Sequence, residues 1–111
     1  FCHWGDRFGF TGLGRTPVAP GTKRWEAIKA MDLEGANLIA KMDPAAFQEY
    51  INDTDNTICG RRAIAIALHA VNQANMVPTL TGSIPHYSQS SKVVSDHQSS
   101  VSYCSVVLSH T

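Results

Sequence analysis

The sequence is short of charge: Asp, Glu, Lys and Arg make up 16% of its 111 residues, against roughly 25% in an ordinary soluble domain. A surface with so few charges is suited to lying partly against something else. A net charge of either sign is also missing, because nine basic residues balance nine acidic ones. Phosphate affinity needs a positive excess, so a polyanion-binding module is excluded and nucleic acid is not an expected partner. Apolar runs are only a few residues long, far below the ~20 that a bilayer-crossing helix needs, so no membrane span is expected. No basic segment followed by an apolar one marks a signal peptide. Cysteine is sparse and unpaired by motif: Cys2, Cys59 and Cys104 are widely separated, with no CxxC. That spacing fits reduced thiols in a cytoplasmic protein better than a secreted disulfide scaffold.

What is present is one domain's worth of chain, 12.1 kDa, enough to bury a core. It opens on Phe1-Cys2-His3-Trp4, an apolar and aromatic start that reads as a piece of a longer polypeptide. Residues 5 to 22 hold five of the eight glycines together with Pro17 and Pro20, the composition of a long irregular loop. Gly9 to Gly14 has the look of a phosphate cradle, but no GKS or GKT follows, so a surface loop is the better reading. From 24 to about 42, Trp25, Ile28, Met31, Ala36, Ile39 and Met42 recur at helical intervals and predict an amphipathic helix. Gly35 falls inside it, where glycine costs about 1 kcal/mol relative to alanine unless a neighbour needs close approach. Asp43 and Pro44 then form a helix-start signal, and Phe47 and Tyr50 supply the stripe of a short second helix.

Residues 52 to 57 form a polar break. Their alternating side-chain oxygens suggest a calcium loop, but the glycine at its sixth position and the glutamate at its twelfth are absent. A third helix is expected from 61 to about 75, with Ile64, Ala67, Leu68, Val71 and Ala74 on one face. Pro78 ends it, and 79 to 89 reads as a strand that Gly82 and Pro85 weaken toward an edge or a bulge. A serine-rich loop over 88 to 100 leads to a strand over 101 to 108. Val101 and Tyr103 share one of its faces, Cys104, Val106 and Leu108 the other, which implies burial on both sides. The strand count is too small to cover such a strand, and the segment reads as a fragment of a larger α/β domain.

Two residues stand out chemically. His3 precedes the glycine-rich loop at a probable strand end, where open α/β sheets place their sites. It can act as general acid or base, ligate a metal, or simply pack against its aromatic neighbour. Cys59 sits just before the third helix, beside Arg61 and Arg62. The helix dipole and the two cations favour a thiolate there, while a small buried residue next to Gly60 is the plain alternative. Cys2 and Cys104 have strand contexts and read as core. The remaining histidines, His69, His86, His97 and His110, show no ligand spacing.

Four blocks carry a resemblance: Phe1-Cys2-His3-Trp4-Gly5-Asp6-Arg7-Phe8, Asn56-Thr57-Ile58-Cys59-Gly60-Arg61, Tyr87-Ser88-Gln89-Ser90-Ser91 and Ser99-Ser100-Val101-Ser102-Tyr103. In this order and at nearly this spacing the chain resembles the C-terminal portion of the Memo family's domain. The resemblance implies the fold of the class III extradiol dioxygenases, a three-layer α/β/α domain with a central mixed sheet. Residues 1–111 would contribute about three helices and two or three strands to it. By the same resemblance Cys59 is the metal-ligating cysteine, where the dioxygenases have a glutamate, and His3 is the pocket's acid–base histidine. By the resemblance the two histidine ligands would belong to the N-terminal half, which this chain lacks and which becomes its expected partner, and the pocket aspartate would fall just before Phe1. Exchange of a hard carboxylate oxygen for a thiolate favours copper, with zinc or iron as other candidates, and opens redox chemistry at sulfur. Two functions follow from the resemblance: a copper-dependent oxidation, or a non-enzymatic signalling adaptor whose pocket binds a phosphotyrosine peptide.

Overall fold

The computed structural model describes residues 2–4 as backbone, and residues 21, 23–94 and 99–111 with their side chains. Among the described residues, three strands and three α-helices run in the order β1 (Cys2–Trp4), α1 (Arg24–Ala40), α2 (Pro44–Thr54), α3 (Arg61–Gln73), a 3₁₀ turn (Val77–Thr79), β2 (Leu80–Gln89) and β3 (Ser99–His110). This is the α/β arrangement expected from the sequence. The glycine-rich stretch over 5 to 22 falls almost wholly outside the described residues. No described helix is long and apolar enough to cross a membrane.

Local signals set the helix ends. Met42 takes a left-handed φ of 58° after α1, which turns the chain at once into α2. Asp43 caps α2, its carboxylate accepting from the Ala46 N–H at 3.0 Å, and Pro44 occupies the first turn, where no N–H is needed. The polar residues Asn52, Asp53 and Thr54 belong to α2 rather than to the expected break. Helix α2 ends one step later at Asp55, whose φ of 54° is left-handed. A helix end tolerates polar residues because its outer face is solvated, so composition alone places the boundary too early.

The core is built where α1, which rests on β2 and β3, packs with α2 and α3: Ile28, Met31, Met42, Phe47, Tyr50, Ile58, Leu68 and Val93 are all buried. Gly35 is buried in α1 against the Tyr50 ring, the close approach that justifies a glycine inside a helix. The segment that follows β2 is tied to the start of α1: Trp25 N–H donates to the Val93 carbonyl at 3.1 Å, and the Lys92 ammonium lies 4.6 Å from the Trp25 ring centre.

The strands pair antiparallel in the order β1-β3-β2. In β1, Cys2, His3 and Trp4 stand opposite Val101, Ser100 and Ser99. Between β2 and β3 the register slips by one: Ser83 pairs with Val107, but His86 pairs with Ser105. Ile84 and Pro85 therefore stand against Val106 alone. Proline has no N–H to give the ladder, and a bulge at this point resolves the conflict as the sequence suggests. The slip also sets the facing of the residues beyond it, placing Tyr87 directly opposite Cys104.

Strand β3 corrects the expectation of burial on both sides. Ser100 and Ser102 are buried beneath the helices, whereas Tyr103 is 55% and Val107 46% exposed on the opposite face. Helices cover one face only among the described residues. Apolar composition shows that a strand can be buried, not that its cover belongs to the same stretch of chain. On α3 likewise Leu68 is buried while Ile66 is 71% exposed.

Candidate functional site

Cys59 lies on the turn between α2 and α3, and it is exposed. The turn itself is pinned on both flanks. Upstream, the Asn56 N–H donates to Thr54 Oγ1 at 3.2 Å, and that hydroxyl donates to the Tyr50 carbonyl at 2.8 Å. Downstream, the Ile58 N–H donates to the Asn56 carbonyl at 2.9 Å, and the Ile58 carbonyl accepts from the Arg61 N–H at 3.1 Å and from its guanidinium at 3.2 Å. Ile58 is buried to 1% exposure, so the chain dives into the core immediately before Cys59. The reading of Cys59 as a small buried residue is thereby corrected: the buried one is its neighbour.

A cavity of about 350 Å³ opens between this turn and the strands, lined by Ile58, Cys59, Gly60 and Ile64 on one side and by His86, Ser102, Tyr103, Cys104 and Ser105 on the other. Cys104, expected in the core, is half-buried on this wall. Burial pushes its thiol pKa up, and the nearby Asp32 carboxylate adds to the shift. Cys59, exposed, and Cys104, half-buried and held as thiol, should therefore differ in reactivity. Iodoacetamide labelling with peptide mapping at pH 7.5 is expected to modify Cys59 first. Faster labelling of Cys104 would remove Cys59 from the centre of the site.

Beneath the cavity lies a buried polar network that no expectation from the sequence included. Asp32 on α1 has 0% exposure. Its Oδ1 accepts from Asn56 Nδ2 at 3.1 Å and its Oδ2 from the Tyr87 hydroxyl at 2.6 Å. Tyr87 also meets Ser102 Oγ at 3.2 Å and accepts from Gln89 Nε2 at 2.9 Å. Asn56 Nδ2 reaches the Tyr50 hydroxyl at 2.7 Å, which itself donates to the Met31 carbonyl at 2.5 Å. Both tyrosine hydroxyls are driven above their ordinary pKa, first by burial and with Asp32 contributing to each, so they stay neutral donors. Asn56, Tyr87, Gln89 and Ser102 come from three of the four sequence blocks: Asn56 and Tyr87 bond to the Asp32 carboxylate, and Gln89 and Ser102 to Tyr87. A signal was available: Ile28, Asp32, Gly35 and Ile39 lie on one stripe of α1, and a carboxylate on an apolar stripe asks for partners.

His3 stands in β1 opposite Ser100, two residues along β3 from the cavity-lining Ser102. Its side chain lies outside the described residues. No three His, Cys, Asp or Glu side chains among the described residues are grouped so as to hold a metal ion. The described residues supply no complete donor set around Cys59. Two buried atoms have no hydrogen-bond partner among the described residues, Asn56 Oδ1 and Ser100 Oγ.

Comparison with known proteins agrees with the four blocks. A family model described as Memo-like protein matches residues 1–107. The chain is 44% identical over 110 residues to the protein memo-1 homolog of Caenorhabditis elegans, covering 97% of this chain and 31% of that protein. It is 36% identical to protein MEMO1 of Xenopus laevis and 34% identical to protein MEMO1 of Homo sapiens, in each case over 97% of this chain and 35% of the relative. The chain thus spans about a third of the length of these curated relatives.

Proposed function

The chain belongs to the Memo family, and on that footing we propose that it forms one wall of a metal-binding redox pocket in which Cys59 is the thiolate donor. The observation that carries this reading is the exposed Cys59 next to the buried Ile58, on a turn hydrogen-bonded on both flanks and opening on the 350 Å³ cavity. A thiol meant only for packing would sit inward, as Ile58 does. A thiol held outward on a fixed turn costs little reorganisation when it binds an ion. The remaining donors would come from the part of the complete protein that lies beyond this chain.

Thiolate sulfur favours copper, with zinc or iron also accommodated, over magnesium or calcium, which want oxygen ligands. Copper, when bound, would supply one-electron redox chemistry. The chain's own residues contribute differently. Cys59 presents the anionic donor, Ile64 and Tyr103 line the cavity, and His3 holds or moves a proton by the family resemblance. A reducing cytoplasm would keep Cys59 available as thiol.

Copper titration of the complete protein by calorimetry tests the proposal. Cys59→Ser replaces a soft anion by a neutral hydroxyl and is expected to weaken copper binding on the order of 100-fold or more, beyond what loss of an outer-shell contact gives. His3→Ala is expected to leave most of the affinity. Should Cys59→Ser bind copper as tightly as the parent, the metal reading fails and a cleft for a phosphotyrosine peptide takes its place.

A further inference from the structure

We infer that Asp32 is a positioning residue: its buried carboxylate holds Asn56 on one side and Tyr87 on the other, and so fixes the Cys59 turn against the strand wall of the cavity. This inference rests on Cys59 being the functional thiol of the pocket. The geometry is a clamp. One carboxylate oxygen takes Asn56 Nδ2 at 3.1 Å and the other the Tyr87 hydroxyl at 2.6 Å. Asn56 is three residues from Cys59 on the turn. Tyr87 pairs with Cys104 across the sheet and touches Ser102, and both of these residues line the cavity.

Force applied at Asn56 reaches Cys59 by a short route. The Asn56 carbonyl is bonded to the Ile58 N–H, and the Ile58 carbonyl to Arg61. Positions 56, 58 and 61 are therefore held, and Cys59 lies between two of them. Asn56 has little else to hold it by its side chain. Its Oδ1 has no partner among the described residues, and its Nδ2 is shared only between Asp32 and the Tyr50 hydroxyl. Charged acceptors make the stronger hydrogen bonds, so Asp32 is the main anchor of the pair. The arrangement on the strand side depends on the bulge at Ile84 and Pro85, without which Tyr87 would face away from α1.

The test uses the complete protein and two readouts that general loss of packing leaves alone. These are the rate of iodoacetamide modification of Cys59 and the position of the copper–thiolate charge-transfer band with copper alone as probe. Asp32→Ala is expected to speed Cys59 modification about fivefold, to weaken copper about tenfold, as loss of outer-shell support does, and to shift the band. Asp32→Asn keeps an acceptor for Asn56 and should restore most of the parent values. Val71→Ala, a trim of a side chain on α3 that packs on the core but bonds to no member of the network, should move neither readout. Should Asp32→Ala fail to fold, Asn56→Ser removes the same link from the turn side and is expected to give the same changes. A folded Asp32→Ala or Asn56→Ser with parental Cys59 rate and band overturns the inference while leaving the metal reading intact. If instead Cys59→Ser binds copper normally, the metal reading falls, and the modification rate still decides whether Asp32 sets the turn.

Discussion

Gly82→Ala is expected to cost the complete protein about 3 kcal/mol or more of stability, at or above the upper end of ordinary overpacking. Gly82 lies in β2 opposite Leu108, at the point where the C-terminal end of α1 rests on the strand. A Cβ there would collide with the Ala40 carbonyl oxygen and stand 2.6 Å from its carbonyl carbon and 2.7 Å from its Cα. These are backbone atoms, and no rotamer change can move them. Ala40 is itself held, because the next two residues donate back into the helix: Lys41 N–H to the Asn37 carbonyl and Met42 N–H to Ile39, each at 2.9 Å. Alanine would ordinarily be worth roughly 0.5–1 kcal/mol more than glycine within a strand. The sign reverses here because α1 and β2 touch backbone to backbone. Urea unfolding reads the effect directly. A midpoint equal to the parent's would mean that the helix does not sit this close to the strand.

Gly35→Ala is expected to destabilise by about 2 kcal/mol, against the gain of about 1 kcal/mol that helix propensity alone predicts. The new methyl would lie 2.8 Å from Tyr50 Cε1 and 2.9 Å from Cζ and the hydroxyl oxygen. A flexible side chain could swing away, but Tyr50 cannot. Its hydroxyl donates to the Met31 carbonyl and accepts from Asn56, its ring stacks on Phe47 at 6.3 Å between centres, and it is 4% exposed. Displacing it would break two buried hydrogen bonds and disturb Asn56, so Cys59 modification should also change. A thermal or urea midpoint that rises on this substitution would show that propensity outweighs the contact.

The features legible from the residues are those that local physics settles. Asp43 and Pro44 announce the start of α2 because a cap and a fixed φ act within one turn of the chain. The stripe of Ile28, Met31 and Ala36 locates the buried face of α1, and all three are buried. Gly35 can be marked as a position that asks for a close neighbour, but not which one, and Gly82 reads only as a weak point of its strand, because Tyr50 and Ala40 come from other elements of the fold. The place of Asp32 on the apolar stripe of α1 marks it as a carboxylate in need of partners but does not name them, since carboxylates in helices are usually solvated. Its burial depends on Asn56, 24 residues on, and Tyr87, 55 residues on.

The order of motifs determined the family, and the spacing of apolar residues determined three helices and the two longer strands. The candidate site came only half from the same source: Cys59 was identifiable by its block, but its exposure was not, because exposure depends on where Ile58 goes. The tertiary structure decided that Cys59 faces a cavity shared with Cys104, that a one-residue bulge turns Tyr87 toward α1, and that one face of β3 carries Tyr103 and Val107 outward. Each of these is set by contacts between residues distant in the chain. Hydrogen-bonded burial of a charge, strand register and the cover of a sheet are properties of pairs of segments, and periodicity describes only one segment at a time.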